Sequence, residues 1–475
     1  MKVVFVDLSD RLSDSHGIGS LIAVLKNTGV IPEYINSKNW NKICKEIDRF
    51  AFDLILYSAF SCEVEEYSRF DRFLKSRFKI TNNRCQLVSL IGGPGPTYDP
   101  FFMTSGTTID AACIGEGELA LCDFIASTFK DGRNIVLNGR GADGHAFRKA
   151  MFVDLDSLPF PDRELIYNRN HLLRDMPSKQ FLAGRGCPYD CSYCFNGTLK
   201  EMFSGCGPYV RKKSVEYLLE EIRYVKTRYG LKRVVFSDDT FVLGEKWLTE
   251  FCERFPKEIG LRYNCSVRPN LVTGDLVRML KESGCAEVMW SIETGNENYR
   301  KTILQRNISD KDISSAADLM HKHGLSFRLG NMIGLPGESI KDMYDTIRMN
   351  INAKPRLGYT AIFMPYPGLK LTQYAIENGY YDSASQLPDN PFVCTLLNYS
   401  AKDKSRIIRI ANLFPFLVRW PFLLRFKNVL EQTPFWLVRL VFKFYFSKQL
   451  SKGYFEKVNL LFSIRMVIRL FKRCI

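Results

Sequence analysis

The chain's 475 residues, 46% hydrophobic and 25% charged, suffice for two or three domains with full cores and exclude a disordered or collagen-like polymer. Its formal charge of +15 is concentrated: residues 401–475 hold 16 Lys and Arg against 3 Asp and Glu, which leaves the preceding 400 residues nearly neutral. Whatever anionic partner the charge attracts, it attracts at the C-terminus. The 14 cysteines are scattered, and the opening MKVVFVDLS reads as a β-strand and turn rather than a secretory leader, so a cytoplasmic setting is expected.

Residues 1–130 alternate short apolar runs (KVVFVDL, DLILYSA, CQLVSLIGG, IDAACIG) with amphipathic stretches such as IGSLIAVLKNTG and EVEEYSRFDRFLKSRF. Strand-helix alternation of this kind predicts a parallel, doubly wound sheet whose ligands bind beyond the carboxyl ends of the strands. Small residues collect at those ends: Ser58 and Ser61, then Gly92, Gly93, Pro94 and Gly95, then Gly115, Glu116, Gly117 and Glu118. By spacing alone they read equally well as ordinary βα turns. Asp14, His16 and Gly19 form Asp-x-His-x-x-Gly. Residues 131–180 are rich in turn residues, in NGRGADGH and LDSLPFPDRELI, and read as a connector; His145 and His171 have no ligand-spaced partners.

After the strand-like KQFLAG, the stretch GRGCPYDCSYCFN sets Cys187, Cys191 and Cys194 as Cys-x-x-x-Cys-x-x-Cys. Three thiolates on one tight loop suit three corners of a [4Fe-4S] cluster and leave the fourth iron open to a small molecule. A zinc loop would need a fourth ligand, and Cys206 sits apart in SGCGPY. From about residue 178 to 385 six candidate strands recur: QFLAG, RVVFSDD, LRYNCSV, AEVMWSIE, FRLGNMIG and YTAIFMPY. Six βα units predict a partial barrel with its site at the strand ends. Those ends carry Ser237, Asp238 and Asp239, then Glu293, then Gly334 and Glu338 of NMIGLPGE, each of which taken singly also reads as a turn or helix cap. No phosphate loop or His-Glu-x-x-His pair is present, and His321 and His323 sit at the polar end of a helix.

The cysteine loop, with Tyr193 just before its third cysteine, resembles the signature of radical S-adenosylmethionine (SAM) enzymes. The resemblance implies that the open iron chelates SAM and that reductive cleavage gives a 5′-deoxyadenosyl radical. It also implies that Tyr193 lies in the cofactor site, that Ser237, Asp238 and Asp239 approach the SAM amino group, that Glu293 meets the ribose, and that the Gly334 loop approaches the adenine. Arg268 and Arg328 are candidates for the SAM carboxylate. The N-terminal motifs resemble the cobalamin-binding domain that precedes many radical SAM domains, with Ser58, Gly92, Gly93, Gly115 and Glu116 making room for the cofactor. His16 would be placed as a ligand below the cobalt; most radical SAM relatives lack this histidine and leave that face open, so both arrangements stay in view. The expected fold is α/β: a Rossmann-like (flavodoxin-like) cobalamin-binding domain (1–135), a linker (136–177), a partial (β/α)6 radical SAM barrel (178–385) and a basic, aromatic-rich helical region (386–475).

In that last region, residues 401–475 carry 15 aromatic residues interleaved with Arg and Lys. No run reaches the roughly 18–20 uncharged residues that span a bilayer. A basic helix with an aromatic and Leu-rich face fits a membrane interface; a helical cap on the barrel is the plainer alternative, and nucleic acid is disfavoured by the apolar content. The expected activity is methyl transfer to an unactivated carbon of an unknown, lipid-like or lipid-linked substrate, with a reducing partner such as flavodoxin or ferredoxin. Radical cyclisation or rearrangement on the same cofactors, and a nucleic-acid-modifying enzyme, are the alternatives.

Overall fold

The computed structural model describes residues 1–454 apart from 10–12, 51, 82–86, 100–105, 139–146, 384–386 and 389–393. Most of the connector turn NGRGADGH, with His145, and residues 455–475 of the basic region lie outside the described residues. The chain forms two compact units, residues 1–175 with 198–211, and residues 176–197 with 212–475.

The first unit is built on a six-stranded sheet: β1 (Lys2–Asp7), β2 (Ile31–Asn36), β3 (Leu54–Ser58), β4 (Val88–Gly92), β5 (Ala111–Cys113) and β6 (Ile135–Leu137). Their order is β2-β1-β3-β4-β5-β6, parallel throughout except for the antiparallel β5–β6 pair. Helices cover such a sheet on both faces, so its central strands are continuous apolar runs, as KVVFVD and LILYS are. The edge strand β2, IPEYIN, is not an apolar run, since Pro32 and Glu33 interrupt it; an edge tolerates a residue that cannot donate to a second neighbour. The reversal of strand order between β1 and β3 opens a crevice at their carboxyl ends. Phe203 and Cys206, from the returning segment 198–211, complete the core with Ile55, Tyr57, Phe70 and Ile91.

The second unit contains β7 (Ser178–Phe181), β8 (Arg233–Phe236), β9 (Arg262–Ser266), β10 (Cys285–Glu293), β11 (Ser326–Ile333) and β12 (Leu357–Ile362). They pair in chain order and all in parallel, with β7 and β12 at the two edges, as a partial barrel does. Alternation along β10 sends Val288, Trp290 and Ile292 into the core beneath the helices. On its opposite face, near the amino end of the strand, Glu287 is buried against Arg328 at 2.7 Å and also binds Arg356. Capping residues set the helix starts: Ser214 and Thr273 accept from the first turns, and Ser309 with Asp312 and Ser339 with Asp342 form capping boxes.

The β12 edge is covered by the helix Ala401–Arg419, whose Ile407, Ile410, Phe414 and Leu417 bury against Ile362, Met343 and Ile347. The first helix of the basic region is therefore a cap on the barrel edge. Among the described residues no helix is long and apolar enough to cross a membrane.

Candidate active site

The cysteine loop leaves β7 at Phe181 and is held from several sides. The Asp238 carboxylate, just past β8, accepts from the Ala183 amide at 3.0 Å. Further along, the Ser192 amide donates to Leu304 O (3.0 Å), its hydroxyl donates to Ile303 O (2.7 Å), and its carbonyl accepts from the Leu371 amide (2.8 Å). A turn from the Cys194 amide to Cys191 O (3.0 Å) then aims the last two thiols. Loop residues pinned this way need little reorganisation to present a ligand set.

All three thiols line one cavity of about 180 Å3 at the carboxyl ends of the strands. Asp239 and Thr240 enter it after β8, Ser266, Val267 and Arg268 at the end of β9, and Met289, Ser291 and Glu293 from β10. Each thiol has its own polar neighbour: Thr240 Oγ1 lies 3.7 Å from Cys187 Sγ, Arg268 Nη1 donates to Cys191 Sγ at 3.6 Å, and Asn196 Nδ2 donates to Cys194 Sγ at 3.5 Å. Arg268 is held over the Tyr189 ring at 3.7 Å. Burial pushes the Cys187 and Cys194 thiols up, so they reach the thiolate form only with a compensating cation. Among the described residues no three Cys, His, Asp or Glu side chains converge to hold a single ion. Three thiols spread around a shared cavity instead fit a cluster that takes one thiolate per iron.

Tyr193 donates its hydroxyl proton to Glu293 Oε1 at 2.9 Å, while Arg306 Nη1 donates to the same hydroxyl at 3.1 Å and Nη2 donates to Ser291 O at 2.8 Å. Glu293 takes a left-handed backbone with φ 71°, uncommon outside glycine, at a register shift where β10 leaves β11. The buried group Tyr193–Glu293–Arg306 thus fixes a carboxylate at the cavity wall by contacts that act against local backbone preference.

The other residues singled out from the sequence are distributed differently. Of the acidic pair after β8 only Asp239 lines the cavity, because Asp238 points back to the loop; Ser237 is exposed, with its amide on Phe181 O. A Cβ on Gly334 would meet Ile407 of the capping helix at 3.2 Å, and one on Gly337 would meet the Tyr380 hydroxyl at 2.9 Å, so these glycines make room for neighbouring side chains. Glu338 does not cap the following helix, which Ser339 does; it is buried, accepts from the Leu335 amide at 3.1 Å, and burial pushes its carboxyl up to about 8. Arg328 is engaged by Glu287 and does not line the cavity, whereas Arg268 does. Arg306, Thr240 and Asn196 were not found by sequence reasoning; only Asn196, two residues past Cys194, lay within a recognisable motif.

In the first unit, Ser58 pairs with Gly92 at the ends of adjacent strands, and His16 opens the helix His16–Asn27 that follows β1. Asp14 accepts from the Tyr167 hydroxyl (2.6 Å) and pairs with Arg163 (3.1 Å). Most of the strand-end glycines are required by the chain itself. A Cβ on Gly93 would lie 2.8 Å from Ala59 O, one on Gly95 2.5 Å from Val64 and one on Gly115 2.4 Å from the Phe203 ring; within the helix His16–Asn27, one on Gly19 would lie 3.0 Å from Asp162 O. Gly92 is different: its nearest contact would be an ordinary 3.6 Å. Glu116 is bound by Arg211, whose guanidinium lies over Phe152 at 4.4 Å. Cys206 belongs to the buried core of this unit.

The family model of the radical SAM superfamily matches residues 181–349, which span the cysteine loop and the strands from β8 through β11. Residues 181–349 form a radical SAM domain. The chain is similar to an uncharacterized methyltransferase of Pyrococcus horikoshii, 25% identical over 373 residues that cover 76% of this chain and 77% of the relative. Two solved structures share the fold. The cobalamin-dependent SAM radical enzyme OxsB, with aqua-cobalamin and SAM bound, superposes with a TM-score of 0.68 at 12% identity, covering 100% of this chain and 84% of that one. The radical SAM methyltransferase TsrM from Kitasatospora setae, with tryptophan substrate and a SAM analogue bound, gives 0.63 at 15% identity, over 84% of this chain and 81% of that one. The match to OxsB extends over both units of this chain, at the level of the fold.

Proposed function

We propose that this chain is a cobalamin-dependent radical SAM methyltransferase acting on an unactivated carbon. The observation that carries the reading is the convergence of Cys187, Cys191 and Cys194 on a polar cavity at the barrel's strand ends, in a chain whose N-terminal sheet has the strand order β2-β1-β3-β4-β5 and a crevice between β1 and β3. When bound, the [4Fe-4S] cluster supplies the electron that cleaves SAM to a 5′-deoxyadenosyl radical, and cobalamin supplies a transferable methyl group.

The side chains divide that work. Cys187, Cys191 and Cys194 hold the cluster, and Arg268 Nη1 lies 3.6 Å from the Cys191 sulfur. Arg268 and Asp239, both on the cavity wall, are placed to receive the carboxylate and ammonium of SAM. Tyr193 and Arg306 hold Glu293 in one orientation, so that it can accept from ribose hydroxyls without reorganising. In the N-terminal unit, Gly92 has space for a side chain and carries none, and Ser58 lies beside it, which fits the approach of a cofactor to the crevice. His16 begins the helix at that crevice and remains a candidate lower ligand to cobalt. Glu116 is assigned to its ion pair with Arg211 rather than to the cofactor.

Reduction is expected from a flavodoxin or ferredoxin. Peripheral placement at the inner face of a membrane, with a lipid-like or lipid-linked substrate, rests on the aromatic and basic C-terminal region. The test is anaerobic turnover of methyl-deuterated SAM with extracts of the source organism, followed by mass spectrometry. A labelled methyl group in a new product, with matching 5′-deoxyadenosine and S-adenosylhomocysteine, supports the reading. Product with deoxyadenosine but no label would move the reaction to cyclisation or rearrangement.

A further inference from the structure

Beyond the capping helix, the chain turns its apolar residues outward. The segment Pro421–Phe426 leaves Phe422 59% and Phe426 55% exposed. In the helix Phe435–Tyr454, Trp436, Leu440 and Phe444 are four residues apart and lie on one face, with Trp436 67% and Phe444 59% exposed. The opposite face supplies Val438 and Phe442 to the buried side, and Tyr445 packs on Phe416 of the capping helix. The hydrophobic core thus accounts for one side of this helix, and Trp436, Leu440 and Phe444 stay exposed on the other. Single exposed apolar residues are ordinary, but a stripe of large ones marks an interaction surface.

Charge identifies the partner. Residues 419–444 hold Arg419, Arg425, Lys427, Arg439 and Lys443 against one acid, Glu431, and that acid is engaged by Arg406 at 2.8 Å and by the Tyr344 hydroxyl at 2.6 Å. Arg419 and Arg425 are exposed alongside the aromatic residues. Trp and Phe seat at the boundary between headgroups and acyl chains, while Arg and Lys attract anionic headgroups. With no described helix able to span a bilayer, the combination fits contact with its surface.

We infer that the exposed face of Pro421–Phe426 and Phe435–Tyr454 docks the enzyme on an anionic lipid bilayer, with Trp436, Leu440, Phe444 and Phe422 inserted at the headgroup boundary and Arg419 and Arg425 on the phosphates. This deepens the peripheral placement proposed for the chain and does not depend on which radical reaction it performs.

The test uses the full chain, because a chain ending before Ala401 would strip the β12 edge of its cover. Protein is sedimented with vesicles of phosphatidylcholine alone and of equal parts phosphatidylcholine and phosphatidylglycerol, without SAM. Wild type is expected to bind the anionic vesicles and to be released by high salt. The triple substitution Trp436→Ser, Leu440→Ser and Phe444→Ser should weaken binding by about tenfold or more, with circular dichroism and thermal unfolding unchanged because all three are exposed. Arg419→Gln with Arg425→Gln should lose only the preference for anionic lipid. Wild type left in the supernatant, or triple-variant binding equal to wild type, would overturn the proposal. So would a concentration-dependent dimer abolished by the triple substitution in protein that does not bind vesicles, which would assign the face to a second copy. Vesicle binding is read without turnover, so its failure leaves the methyl-transfer reading standing, and the reverse.

Discussion

Replacing Glu338 with Gln should flatten the pH dependence of stability of the second unit. The carboxyl group is buried behind the loop that follows β11, beside the Leu335 amide and the Thr294 hydroxyl, with no cation paired to it among the described residues. Burial raises it from 4.5 to about 8, opposed by backbone donors that do not offset the cost of charging it. Below pH 4.5 both the folded and the unfolded chain hold this proton. Between the two values the folded chain keeps it and the unfolded chain has released it, so unfolding releases a proton and stability falls as pH rises. Well inside that window the loss is about 1.4 kcal/mol per pH unit, and integration from pH 5 to pH 7 gives about 2.5 kcal/mol. Gln has nearly the same shape and no proton to release, so its stability should fall by about 2.5 kcal/mol less over the same interval. The assay is anaerobic urea unfolding at pH 5, 6 and 7, followed by tryptophan fluorescence; Trp247, Trp290, Trp420 and Trp436 lie in this unit. Equal pH slopes for wild type and Glu338→Gln would refute the reasoning.

Four further outcomes are expected. Cys187→Ala, Cys191→Ala and Cys194→Ala should each remove most iron, labile sulfide and SAM cleavage, whereas Cys206→Ala, in the other unit's core, should retain them; equal loss from Cys206→Ala, measured by iron and sulfide analysis, would point to a fourth protein ligand and against an open iron. Gly92→Ala should leave thermal stability within about 0.5 kcal/mol while weakening corrinoid binding measured by absorbance titration. Gly93→Ala, where φ is 96° and the Cβ would press on Ala59 O, should cost about 1–3 kcal/mol in unfolding whether or not a corrinoid binds. Phe414→Ala, which empties the fully buried contact between the capping helix and the barrel edge, should cost about 3–5 kcal/mol; a loss of under 1 kcal/mol in denaturant unfolding would mean that the helix is not a structural cap.

How much was legible from the chain depended on how local the governing interactions were. Barrel strands such as β8 and β10 could be read because a strand covered by helices carries an apolar run of its own, as RVVF and VMW are. The convergence of Cys187, Cys191 and Cys194 on one cavity could be anticipated for a similar reason: three thiols on one loop have their spacing set by a few neighbouring residues. The strand β2 was missed because a sheet edge relaxes that demand and admits Pro32.

The roles of neighbouring side chains at the strand ends were decided only by tertiary structure. Asp238 and Asp239 are chemically equivalent in the sequence, yet the path of the chain beyond β8 turns one to the Ala183 amide and the other to the cavity. Gly115 reads as a cofactor-clearing turn until the distant Phe203 is found filling its space, and Gly334 until Ile407 is found over it. Arg306 carries no motif because only the fold brings its guanidinium to Tyr193 and Ser291. The basic region was ambiguous between a cap and a membrane contact, and its first helix is a cap. Composition by itself determined that aromatic and cationic residues would gather there; the unpaired edge of β12 decided which of them are buried, because a parallel sheet needs its open edge covered and the first helix of the region supplies that cover.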